Sequence, residues 1–187
     1  LFTITLHINI GAKYETEKNS GISHYVEHIF FNNTKKIKNL LDKLDTSGYR
    51  YNASTGLEST DFYIQCIGEC WKDAVYTMYS MLYENLFDEC NIVKEREVVL
   101  QEYYNTRDDI ESLLYEKTYA DIFTDGNLSK SIIGNENSIK NIGKKEIVDY
   151  INTYYKSNLI NIITYSDMNI SKYQKNIESL FNNNIYP

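Results

Sequence analysis

Two imidazoles and a carboxylate fall close together, at His24, Glu27 and His28 of the stretch Gly21-Ile22-Ser23-His24-Tyr25-Val26-Glu27-His28-Ile29-Phe30-Phe31. On a helix, residues three and four apart share a face, so His24, Glu27, His28 and Phe31 align along one side. Ile22, Val26, Ile29 and Phe30 align along another, which can bury against a sheet while the polar side lines a site. Imidazoles at i and i+4 can bind one zinc ion from adjacent turns. A carboxylate just before the second His can reach a water on that ion without ligating it. Such a set suits metal-assisted hydrolysis: two ligands, a general base and an open position. The same residue types also suit a solvated helix face, because short motifs occur by chance. Catalytic zinc takes three protein ligands, so the distinction rests on a third.

Glu102 is the candidate, 74 positions after His28. Glu95 lies seven positions earlier, two turns along and on nearly the same helix face. One carboxylate could ligate while the other orients a ligand His from behind. Glu also favours helices for its own sake, so a solvated face remains open for this pair.

The elements that must position these groups can be read from periodicity. Residues 1–10 alternate, with Phe2, Ile4, Leu6, Ile8 and Ile10 on one side, which predicts a half-buried strand. His7 falls on its polar side and reads as a surface residue. Residues 11–20 read as a polar loop, with Ser20 as N-cap of the motif helix. Ile37, Leu40, Leu41 and Leu44 predict a helix over 37–45, ended by Ser47-Gly48. Strands over 49–55 and 61–67, with a turn at 56–59, read as a hairpin. Trp71, Val75, Met78, Leu82 and Leu86 predict a helix over 71–87 whose stripe is core packing. Further helices are expected over 89–106, 110–123, 144–155 and 171–181. Asp125-Gly126-Asn127 reads as a turn and residues 159–165 as a buried strand. This order predicts an α+β fold, helices packed on a mostly antiparallel sheet.

With 187 residues the chain fits a single domain. A net charge of −7 disfavours a nucleic-acid surface and suits cationic substrates. Cys66, Cys70 and Cys90 are odd in number and lack paired metal-site spacing, so they read as free thiols in a reducing, intracellular compartment, cytoplasm and organelle matrix not being distinguished. No apolar run approaches the ~18 residues of a membrane span, and no signal-peptide pattern is visible. Leu1 falls inside a strand pattern, so a preceding N-terminal segment is expected to be missing.

Three blocks together carry a resemblance. The first is Gly21 to Phe31 followed by Thr34. The second is Gly48-Tyr49-Arg50-Tyr51-Asn52-Ala53-Ser54-Thr55 followed by Glu58 and Thr60. The third is Glu95-Arg96-Glu97-Val98-Val99-Leu100-Gln101-Glu102. In this order they resemble the pitrilysin/insulinase family of inverted-motif (His-x-x-Glu-His) zinc metallopeptidases, which includes mitochondrial processing peptidase. Ile133-Gly134, Ile139, Tyr154-Tyr155 and Asn158 extend the likeness along nearly the whole chain. The resemblance implies one zinc ion held by His24, His28 and Glu102, with Glu27 as the general base that activates the zinc-bound water and Glu95 behind a ligand. It implies that Asn52 and Ala53 lie on an edge strand that binds extended peptide substrates, with Phe31 among the substrate contacts. It also implies half of a two-domain clamshell, residues 1–187 being one catalytic domain without its first strand or its C-terminal partner domain. Such a half would be a weak or inactive peptidase alone. The alternative is a non-catalytic partner or scaffold subunit of a processing-peptidase-like complex, since such family members keep the fold and lose the motif.

Overall fold

A computed structural model describes residues 1–182 apart from 33, 85–86 and 125. The alternating N-terminal segment forms β1 (Phe2–Ile8), whose Phe2, Ile4, Leu6 and Ile8 are fully buried. The hairpin follows as β2 (Arg50–Thr55) and β3 (Thr60–Cys66), and β4 spans Ile160–Ser166. The sheet runs β2-β3-β1-β4, and each pairing is antiparallel. β1 is therefore flanked on both sides, and β2 and β4 are the edges among the described residues.

Among the described residues, eight α-helices join this sheet: α1 (Ile22–Asn32), α2 (Lys35–Thr46), α3 (Trp71–Tyr83), α4 (Glu89–Asp108), α5 (Ile110–Ile122), α6 (Glu136–Asn141), α7 (Lys144–Tyr154) and α8 (Gln174–Asn182). Val26, Ile29 and Phe30 of α1 and Ala74, Val75 and Met78 of α3 share one buried core with Phe62 and Ile64 of β3. Phe30 packs on Phe62 and Tyr155, with ring centroids 5.3 and 5.5 Å away. The expected α+β class is therefore observed, with apolar alternation facing the helices and the polar side of the strands left open.

Several boundaries differ from the periodicity. α3 ends at Tyr83, and its expected last apolar position, Leu86, lies outside the described residues, as does Asp125 of the expected turn. The segment 159–165 is not a buried strand: along β4 every second residue is exposed, Ile163 to 53% and Tyr165 to 73%. A continuous apolar run carries no period to reveal that only one face is covered. The last helix is split into a 3₁₀ turn at Ile170–Lys172 and α8. α6 was not anticipated. It is short and polar, and its one signal is Asn135, whose side chain accepts from Ser138 N. All three cysteines are free. No helix among the described residues is long and apolar enough to cross a membrane.

The entry into α1 differs most. Residues 11–20 hold two 3₁₀ turns, Ala12–Tyr14 and Glu17–Asn19. Ser20 does not cap the helix. The Gly21 carbonyl accepts the first helical bond from Tyr25 N, and the buried Glu15 carboxylate accepts from Gly21 N (2.7 Å) and Ser23 N (2.8 Å). A carboxylate is favoured at the positive end of a helix and satisfies donors that would otherwise be orphaned. Gly21 has φ +89°, and a Cβ there would meet the Ile133 carbonyl oxygen at 2.5 Å. The backbone before α6 is thus seated directly on the start of α1. Across the helix, the Tyr25 hydroxyl donates to the Ile92 carbonyl and fixes α1 to α4.

Burial raises the Glu15 pKa from 4.5 to about 7, against the lowering effect of its bonds from Ser23 and Gly21 and of Lys130. A carboxyl raised in this way favours folding below its unfolded pKa, and the advantage is lost as pH rises through about 7. The shift corresponds to at most about 3 kcal/mol. Urea unfolding between pH 4.5 and 7.5 should therefore show a downward slope in stability that Glu15→Gln flattens. An unchanged slope in that variant would remove Glu15 as its source.

Candidate metal centre and active site

α1 brings His24, Glu27 and His28 to one side of the core, and α4 lies across it with Glu95 and Glu102. His24 Nε2 and His28 Nε2 lie 3.5 and 3.3 Å from Glu102 Oε2, and the three groups offer donor atoms all within 4.8 Å of one another. Tetrahedral zinc with bonds of about 2.0–2.1 Å separates its ligand atoms by about 3.3 Å, so this donor set fits the ion. Two His and one Glu is also a set that catalytic zinc uses. The far side of His28 agrees: its Nδ1 faces Glu95 Oε2 at 3.4 Å, which directs Nε2 toward the cluster. Among the described residues, His24 Nδ1 is buried without a hydrogen-bond partner. Its Nε2 is then the nitrogen turned to the cluster.

The protonation state of His24 suits ligation, while the carboxylates around His28 favour its charged form until a metal displaces the proton. Burial and the neighbouring His28 push the His24 pKa down to about 4, so its imidazole is neutral at pH 7. Burial also acts to lower His28, but the bond to Glu95 and the charges of Glu102 and Glu27 outweigh it and hold its pKa above the usual value. Burial raises Glu27, with Glu102 adding to the rise and Thr55 and His28 opposing it. A raised carboxylate is the better proton acceptor near neutral pH.

Glu27 accepts a hydrogen bond from the Thr55 hydroxyl at the end of β2. Thr55 has a partner role that the sequence reading did not assign. The signal was available, because period-2 alternation puts Thr55 on the same side of β2 as Tyr51 and Ala53, the side turned toward α1. Asn52 is on the outer side, where its side chain accepts from Ala53 N at 2.9 Å. Both residues lie on the edge strand, as expected. Phe31 packs face to face on Tyr51, centroids 5.8 Å apart. It lines a cavity of about 470 Å³ with His24, His28, Asn52 and Glu102. A larger cavity of about 590 Å³ opens between β2 and α5 and also reaches His24 and Glu27. All eight expected site residues are therefore gathered around one region. His7 is elsewhere, part-covered on the outer sheet face and bonded to Asp61 at 2.6 Å.

The chain belongs to the insulinase family (peptidase family M16), whose model matches residues 2–136. It is 29% identical over 180 residues to an uncharacterized zinc protease of Rickettsia felis, covering 95% of this chain and 44% of that protein. It is 32% identical over 157 residues to the human mitochondrial-processing peptidase subunit beta, covering 82% of this chain and 32% of that protein. Among solved structures, a protease from Helicobacter pylori matches with a TM-score of 0.90 at 21% identity, over 96% of this chain and 44% of that one. Pitrilysin matches with 0.82 at 23%, over 95% and 20%. The structural likenesses show the fold. The chain spans less than half the length of these relatives.

Thr55 supplies a test of the local geometry. Thr55→Val removes a group that lowers the Glu27 pKa, so the Glu27 carboxyl should titrate at higher pH. Infrared carboxyl bands, assigned by difference against Glu27→Gln, give the measurement. An unshifted titration would mean that the hydrogen bond does not form in solution.

Proposed function

We propose that the chain is the catalytic half of a zinc endopeptidase that cleaves extended or unfolded peptides. In this reading His24, His28 and Glu102 hold one zinc ion, Glu27 is the general base and Glu95 positions His28. The observation that carries it is the approach of both imidazole Nε2 atoms to Glu102 Oε2, at 3.5 and 3.3 Å. The relatives' names, zinc protease and processing peptidase, support the same chemistry. The intact cluster also favours this reading over a scaffold subunit.

When bound, zinc supplies Lewis acidity toward the scissile carbonyl and lowers the pKa of water to about 7. The chain's own groups do the rest. Asn52 and Ala53 on the exposed edge of β2 pair with the peptide main chain, which holds it extended without demanding a sequence. Glu27, held by Thr55, accepts the proton of the attacking water and returns it to the leaving amine. Glu95 fixes the His28 tautomer. Phe31 and Tyr51 form an apolar wall beside the scissile bond.

A second homologous domain or subunit is expected to close over this half. Positioning of reactants can be worth about 7–11 kcal/mol of a barrier, and one open edge strand provides only part of it.

Two measurements test the proposal. Purified chain should carry one zinc, while His28→Ala and Glu102→Gln should lose it and Glu95→Gln should weaken it by roughly 10–100-fold; equal metal in all four would remove the site. In the chain assembled with a closing half, Glu27→Gln should keep zinc and abolish peptide cleavage, and the chain alone should cleave far more slowly than the assembly. Retained turnover in Glu27→Gln would exclude it as the base.

A further inference from the structure

The cavity of about 590 Å³ between β2 and α5 is within the ~300–1,000 Å³ of small-ligand pockets. It touches His24 and Glu27, and Ala53 and Thr55 form one of its walls. If the edge of β2 carries a peptide, as the proposed function holds, a side chain of that peptide enters here. What it selects depends on its charges and on its apolar surface.

Composition alone points to a cation. Glu27, already bonded by Thr55, lines the cavity with Asp109, Glu111 and Glu116 against a single Lys130, and the chain carries net charge −7. The hydrogen bonds point the other way. Glu116 Oε2 accepts from Arg107 Nη2 and its Oε1 from Ser131 Oγ, each at 2.6 Å, so each oxygen already accepts a bond and the charge is paired with a guanidinium. Arg107 is itself seated over the Tyr103 ring, 5.1 Å from its centroid. Asp109 accepts from Ser112 N at 3.1 Å and from the Ser112 hydroxyl. Lys130 donates to the Glu15 carbonyl and, at 3.5 Å, to that of Lys13. Glu111 stands exposed in the first turn of α5, where solvent screens it.

A cationic side chain would therefore lose hydration and find the half-buried Glu116 already paired and the exposed Asp109 already bonded. Beside small hydroxyl side chains such as Ser54 and Thr106, the remaining lining is mostly apolar or aromatic: Leu57, Ile132, Ile133, Tyr115 and Tyr119. The two tyrosine rings lie 4.6 Å apart at 32° and offer a flat wall. Aromatic rings favour offset or edge contacts with such a wall.

We propose that this pocket selects an uncharged apolar or aromatic side chain of the substrate, and that Arg107 sets the selection by masking Glu116. Arg107 acts at a distance from the bond cleaved. It is a specificity-determining residue, and its removal should convert the pocket into a cation site.

The test is peptide binding, read by fluorescence anisotropy on the zinc-loaded chain, with extended peptides scanned position by position through Phe, Leu, Arg and Glu. At one position the chain should bind Phe at least about tenfold tighter than Arg. Arg107→Gln should erase or invert that ratio with zinc content and circular dichroism unchanged, and the double variant Arg107→Gln/Glu116→Gln should restore it. Tyr119→Ala gives an independent reading: it should weaken the Phe peptides and leave the Arg peptides unchanged. A preference of the unaltered chain for Arg, or a ratio unmoved by both Arg107→Gln and Tyr119→Ala, would overturn the inference alone. Failure of every peptide to bind would overturn it together with the peptide-substrate reading.

Discussion

Three carboxylates, Glu27, Glu95 and Glu102, converge on two imidazoles whose side chains are only 16% and 15% exposed. Charges held this close in a half-buried space each disturb the others. Glu102 helps to raise Glu27, the carboxylates raise His28, and His28 helps to keep His24 neutral. Buried charge is tolerated when it is paired or coordinates a metal. A divalent cation at the junction would relieve the crowding, which is why this arrangement is expensive as packing and useful as a site.

That constraint explains the rigidity around it. The imidazoles and the third carboxylate come from two helices far apart in sequence, so their register has to be fixed by contacts outside the cluster. Tyr25 fixes α1 to α4, and Arg96 of α4 donates to the Ile142 carbonyl at 2.8 Å, fixing α4 to the segment after α6. Glu15 holds the first turn of α1, and the buried Ser23 hydroxyl shares a 2.7 Å hydrogen bond with Tyr150 of α7. Thr55 then ties Glu27 to the edge strand β2. In the proposed function, substrate register and base orientation would share that one element.

Most of this was legible where a local rule governs. The face shared by His24, Glu27 and His28 follows from helical period and the hairpin from two runs around a turn; seven-residue spacing put Glu95 and Glu102 on one face, but only the family resemblance gave that pair a role. The sequence reading was blind where the determinant is non-local. Ser20 has the right chemistry for an N-cap, yet a carboxylate from the preceding loop occupies that role. The exposure of Ile163 and Tyr165, like that of Tyr63 on β3, follows from the uncovered outer face of the sheet, which no pattern within β4 encodes. The pairing of Arg107 with Glu116 joins two helices across a connection, and a count of charges sees only surplus acid.

The sheet order also has a meaning in time. β1 is the central strand, and Phe2 pairs with Cys66 on one side and with Ser166 on the other. A ribosome releases His24, His28 and Glu102 well before the second flank of β1 exists. The nascent chain therefore carries all three candidate metal ligands while one long edge of β1 is bare. Closing a pairing of such sequence separation is slow, and bare strand edges invite association with other chains. The candidate metal ligands and the second flank of β1 thus emerge at different times, and in the interval the bare edge is the part of the chain most exposed to association.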